Sequence, residues 1–168
     1  MSHADFNQYI SYFEAISRNL IAIGHTSTNK HFFRLEFDEV LTALPSKMNW
    51  PCLVLESYDI SFIDNRGDNI LKQRNGAFII LERVKNSQDF DAIHAAYDKC
   101  EVIVDDILSQ MMLDKRSRSH AVVKDLDLSQ VQVIPIANDV DGAFGFRCSF
   151  PMINTHDIAV DPTKWLNP

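Results

Sequence analysis

Gly76-Ala77-Phe78-Ile79-Ile80-Leu81-Glu82-Arg83-Val84 reads as a strand whose centre, Phe78 through Leu81, is apolar at every position. Successive side chains of a strand point to opposite faces, so an unbroken apolar run needs cover above and below. That predicts a central strand buried on both sides. Downstream, Ser87 or Asp89 can cap a long helix running to about residue 113. Phe90, Ile93, Tyr97, Cys100, Val104, Ile107 and Met111 recur three and four positions apart along it, a stripe suited to packing on a sheet.

The elements on either side of this pair complete the layers. Upstream, residues 52–63 alternate Tyr58, Ile60 and Phe62 with Asp59 and Ser61, which predicts one half-buried strand. Residues 64–75 are polar, contain Gly67 and read as a long hairpin connection. At the start, Phe6, Tyr9, Ile10, Phe13, Ile16 and Leu20 predict an amphipathic helix over 5–23, stopped by Gly24. A polar loop over 25–30 follows. Phe37, Val40, Leu41 and Leu44 then mark a short helix over 36–44 that Pro45 ends.

Beyond the long helix, residues 114–129 form a polar, partly basic loop. Two strands follow, 130–136, with Pro135 marking an edge or the end of pairing, and 143–152. Phe144, Phe146, Cys148, Phe150 and Met152 share one face of the second, and Asp141-Gly142 signals a turn between them. The tail, 154–168, reads as an extended segment anchored by Trp165. The expectation is one domain over 1–168 of the α+β class: an antiparallel or mixed four-stranded sheet with a long helix packed on it and an N-terminal helix.

Composition narrows the function classes. Hydrophobic residues are 46% and charged residues 23% of the 168, which suits a packed core and not a disordered chain. The formal charge of -7 disfavours binding to phosphate backbones or anionic lipid. No apolar run approaches the roughly 20 residues that cross a bilayer. The start, Met1-Ser2-His3-Ala4-Asp5, lacks the basic and then apolar pattern of a secretory signal. Cys52, Cys100 and Cys148 are odd in number and widely spaced, which reads as three buried thiols in a reducing compartment. A cytoplasmic protein, without membrane or direct nucleic-acid contact, is expected.

A metal-dependent nuclease of the restriction-endonuclease-like class needs a carboxylate on one strand, then a carboxylate and a lysine two apart on the next. Asp59 or Asp64 could be the first, with Glu82 and Lys85 following. Glu82 and Lys85 are three apart, which places them on opposite faces unless a bulge intervenes. His3, His25, His31, His94, His120 and His156 include no pair at zinc spacing, although His25 and His31 flank a loop where a carboxylate could meet them. There is no Gly-rich phosphate loop and no serine elbow. No catalytic, cofactor-binding or metal-ligating residue is assigned, and no cofactor is expected.

The residues Trp50-Pro51-Cys52-Leu53-Val54-Leu55-Glu56, the strand Gly76-Ala77-Phe78-Ile79-Ile80-Leu81, the helix over 90–112, Val133-Ile134-Pro135-Ile136 and Gly145-Phe146-Arg147-Cys148-Ser149-Phe150 together have the order and texture of a known group. With the ending Asp161-Pro162-Thr163-Lys164-Trp165, the chain over 5–165 resembles bacteriophage tail-terminator or tail-completion proteins, also found in phage-derived injection particles. That resemblance implies a non-enzymatic structural protein that forms a ring, typically of six copies. Such a ring caps the tail tube and meets connector or sheath proteins within a virion or phage-like particle. The connection 64–75 and the basic loop 114–124 would be its contact elements. Other classes compete: the nuclease, and a small adaptor that binds a partner through a sheet edge.

Charge supplies the candidate interface. Asp98, Glu101 and Asp105 form an acidic strip on the long helix, whereas Lys115, Arg116 and Arg118 are basic. Head-to-tail contact between the two patches would be a heterologous interface of the kind that closes a ring.

Overall fold

A computed structural model describes residues 5–42, 44–64, 66, 70–138, 141–156 and 160–166. In chain order the elements are α1 (Phe6–Asn19), β1 (Phe32–Arg34), α2 (Phe37–Thr42), β2 (Cys52–Leu55), β3 (Asp59–Ile63), β4 (Ile70–Arg83), α3 (Phe90–Ser117), β5 (Gln132–Asn138) and β6 (Ala143–His156). The class is α+β, as expected. The sheet has six strands where the sequence predicts four, in the order β1-β2-β4-β6-β5, with β3 also paired to β4. It is mixed, because β1 runs parallel to β2 while the other pairings are antiparallel. The strand β1 goes unpredicted, since three residues beside a polar loop carry no alternation.

Burial of Phe78, Ile79, Ile80 and Leu81 is complete, each at 0% exposure, so the central strand is covered on both faces. On one face Phe78 and Ile80 join Leu53 and Leu55 beneath Tyr9 and Phe13 of α1 and Val104, Ile107 and Met111 of α3. On the other, Ile79 and Leu81 join Val54 beneath Val40 of α2 and Met48. Gly145 sits where β6 passes β4 most closely: a Cβ there would lie 1.9 Å from the Ile80 carbonyl oxygen.

The predicted strand over 52–63 is two strands joined by a bulge. Leu55 pairs with Phe78 and Asp59 with Asn75, so Glu56, Ser57 and Tyr58 face only Gly76 and Ala77. One extra residue on one strand is a β-bulge. Its polar groups are matched: Glu56 N–H donates to Ala77 O at 3.1 Å, Ser57 N–H to Glu36 Oε1 at 3.2 Å, and the Tyr9 hydroxyl to Glu56 O at 3.2 Å. The bulge inverts the alternation, so Tyr58 turns to the α1 side and meets Phe6 and Tyr9 edge-on, both at 5.1 Å between ring centroids.

The connection expected over 64–75 is shorter. Ile70–Asn75 belongs to β4, although Lys72, Gln73, Arg74 and Asn75 have no strand pattern of their own. Pairing to β3 on one edge and β6 on the other holds them extended. Residues 65 and 67–69, including Gly67, lie outside the described residues. Likewise β6 continues past 152 to His156. The result is a sheet extension whose β3 is exposed throughout. Ile60 and Phe62, expected to be half-buried, are 46% and 56% exposed because no helix packs on β3 among the described residues.

The Asp89 side chain caps α3, accepting from Ala92 N–H at 3.0 Å. The helix runs 28 residues, past the predicted end at 113, to Arg118 in a left-handed conformation. Its inner face holds Ala96, Cys100, Ile103, Val104, Ile107 and Met111. Phe90, expected to start the buried stripe, is 68% exposed. A strict seven-residue repeat drifts about 20° per heptad around a straight helix, so the stripe's first member has rotated off the sheet. The tail also differs: Trp165, expected as an anchor, is 63% exposed. Asp161 instead caps a short turn, Pro162–Lys164, by accepting from Thr163 N–H at 3.1 Å.

Ile107→Ala is expected to lower stability by about 2–5 kcal/mol in urea denaturation, as deletions in packed cores do. Phe90→Ala is expected to change it by less than about 0.5 kcal/mol. Equal effects would place the wrong face of α3 inside.

Candidate functional site: the charged end and face of the long helix

Position 114 continues the spacing of the α3 stripe, but a carboxylate stands there. Asp114 is buried at 7% exposure and accepts from the Tyr12 hydroxyl at 2.8 Å. Gln110 Nε2 donates to it at 3.0 Å and Ser119 Oγ at 3.2 Å. Burial, and then the bond to Asp114, pushes the Tyr12 hydroxyl well above its usual range. The His120 ring lies 5.0 Å from that of Tyr12. Tyr12, Gln110, Asp114 and His120, with Asn19, Asp106 and Ile107, line a cavity of about 260 Å³ between α1 and α3. Three donors hold the carboxylate, one on Oδ2 and two on Oδ1, so it locks α1 to α3. The signal that could have found it is a lone acid at a stripe position.

The basic residues gather on the other side of the helix end. Lys115, Arg116, Arg118 and Lys124 line a basin of about 830 Å³ with Met112, Asp125 and Leu128. The Lys115 ammonium donates to Leu126 O. Asp98, Glu101 and Asp105 are all exposed on α3 itself. Among the described residues none of Asp98, Glu101, Asp105, Arg116 and Arg118 forms an ion pair within the chain. Lys115 and Arg116, expected in a loop, fall in the last turn of α3, and Arg118 is its C-cap, so the acidic and basic groups singled out from the sequence follow one helix.

The carboxylates considered for metal catalysis stand apart. Glu82 lies opposite Phe144 and pairs with Lys99. Asp59 lies opposite Asn75, whose Nδ2 donates to it at 2.7 Å. Along β4 those positions are about 24 Å apart. Asp64 accepts from Arg66 N–H at 2.7 Å, and Lys85 lies exposed beyond the end of β4. Among the described residues no group of three metal-ligating side chains converges.

His25 Nδ1 accepts from His31 N–H at 3.1 Å, which leaves its proton on Nε2, 3.9 Å from Glu14 Oε1. His31 Nδ1 donates to Pro51 O at 2.7 Å. His94 is exposed on α3, His156 lies 5.7 Å from the Phe62 ring, and His3 is outside the described residues. All three cysteines are free and buried, and burial pushes the Cys100 and Cys148 thiols up to about 12. A bidentate pair that the sequence did not suggest joins Arg147 to Glu56, at 2.6 and 2.8 Å, with the guanidinium 5.0 Å above the Phe37 ring. Glu56 is 6% exposed and Arg147 is half-buried, so the pair bridges the bulge to β6 at the edge of the core.

No protein-family model matches the chain, and no curated protein does. Among the described residues no helix is long and apolar enough to cross a membrane.

Tyr12→Phe is expected to cost about 1.5–3 kcal/mol, the range for a bond to a charged group, when measured by chemical denaturation. Burial also holds the pKa of His25 below its ordinary 6.5. Its native form therefore binds fewer protons than the unfolded chain. The stability it contributes is complete above about pH 6.5 and is lost as pH falls toward the lower, folded pKa. His25→Asn keeps an acceptor for His31 N–H and should flatten the dependence of the urea midpoint between about pH 7 and 5. An unchanged slope would show that His25 does not set it.

Proposed function

We propose that this chain is a structural assembly protein of a phage tail or phage-derived particle, which caps or completes the tail tube as a ring of copies, six in the typical case. The observation that carries this reading is the order of elements. An N-terminal helix is followed by a hairpin on a long central strand, a helix laid across the sheet and a closing hairpin, as in the tail-terminator group that the sequence resembles. The two margins of the sheet add support. One ends in β3, with Ile60, Phe62 and Ile63 exposed, and the other in β5, with Val133 and Ile134 at 40% and 44% exposure. A closed ring needs different surfaces on opposite sides of each copy, and apolar groups there supply affinity. Its partners would be further copies of itself, the tube, and connector or sheath proteins.

A second reading is a peptide-binding adaptor, favoured by the outer edge of β3, unpaired among the described residues, where a strand could add to the sheet. The separation of Asp59 from Glu82 gives the nuclease no comparable support.

Incubation with polymerised tail-tube protein from the same particle separates these readings. Electron microscopy should find rings at tube ends, with a mass of several copies. Phe62→Glu combined with Ile134→Glu should abolish capping while stability stays within about 0.5 kcal/mol, since both side chains are exposed. Bare tubes beside a monomeric wild-type protein would overturn the tail reading.

A further inference from the structure

We infer that two copies of this chain pair antiparallel through α3, around a two-fold axis. The inference does not depend on the tail-cap proposal. Asp98 and Arg116 are about five full turns apart, so they sit at the same angle around the helix and about 27 Å apart along it. The exposed face of α3 is therefore acidic toward its start and basic toward its end. Val102 and Leu113 stand on the same face, 60% and 59% exposed. The charged groups have no ion-pair partners within the chain among the described residues.

Complementarity selects the occupant and its direction. A parallel, head-to-tail neighbour matches one acidic patch to one basic patch, and it crowds both neighbours of each copy onto the same face. An antiparallel neighbour makes the match twice, because a two-fold contact repeats every pairing. With the axis near Leu108, Glu101 meets Lys115 of the second copy and Asp98 meets its Arg118. Val102 then lies close to Leu113 of that copy. The two Asp105 side chains fall about 9 Å apart along the helices and a further 8–10 Å or so across them. That exceeds the ~8 Å screening length, so their repulsion is small. The basin lined by Met112, Arg116 and Lys124 lies beside this contact and leaves room for the acidic half of the second helix.

The test is mass against concentration at two ionic strengths, by sedimentation equilibrium. A two-copy species is expected, with a dissociation constant at least tenfold larger at high salt, since exposed charge pairs are screened. Asp98→Lys should be monomeric, and so should Arg116→Glu with Arg118→Glu, with unchanged thermal melts showing that both are folded. Mixing the two variants should restore a 1:1 pair, because positions 98 and 118 then carry opposite charges across the contact while Glu101 still meets Lys115. Wild-type growth past two copies, no association up to millimolar concentration, or failure of the mixture to pair would overturn the inference. Tube capping is read separately, so its failure would leave this result standing.

Discussion

Burial of Phe78 through Leu81 on both faces, with paired strands along both edges, constrains everything built around them. A strand without exposed side chains has no preference between solvent and core, so its neighbours must supply a layer above and a layer below. Helices α1 and α3 form one layer, and α2 with the segment around Met48 forms the other. Every backbone group of such a strand also needs a partner away from water. β6 answers this along one edge for the full 14 residues, while β2 and β3 share the other.

The same constraint explains why the charged features lie where they do. With one face of α3 committed to the sheet, its acids and bases are left on the outer face. Asp114 is the exception, drawn inward by the stripe spacing and kept there by Tyr12, Gln110 and Ser119. Glu56 is likewise carried inside by the register of its strand, and Arg147 reaches it from a half-buried position. Burying an ion pair is tolerable only when geometry and hydrogen bonding compensate for lost hydration. The two-pronged contact and the Phe37 ring provide that compensation.

Much of this architecture could be read before any coordinates. The run at Phe78 and the stripe from Ile93 to Met111 identify the central strand and the main helix because burial imposes its period on the chain. The strand portions at Lys72-Gln73-Arg74-Asn75 and at Asn154-Thr155-His156 were not legible, since long-range pairing and not local pattern makes them strands. The same holds for Phe32-Phe33-Arg34. Phe90 misled because a heptad pattern outruns a straight helix. The site was legible as residue types, not as positions. Asp98 and Arg116 could be named from their charges, but their common face follows only once α3 is known to continue unbroken to Ser117. The Tyr12–Asp114 lock joins residues that are far apart in the chain; the acid at a stripe position is a trace of it in α3, and the segment around Tyr12 does not name its partner.

The bulge at Glu56-Ser57-Tyr58 has a consequence for descent. Leu53 and Leu55 point toward α1 and α3, yet Tyr58, with the opposite parity, does so as well, because the extra residue resets the alternation. Deleting the codon for Ser57 would leave Leu55 and Tyr58 two positions apart, the ordinary spacing of one strand face, while Asp59 still met Asn75. Both would go on pointing toward α1, and every side chain of β3 would keep its side of the sheet. Lineages of this fold can thus lose the extra residue, and the local bend with it, without changing the surface that β3 turns outward.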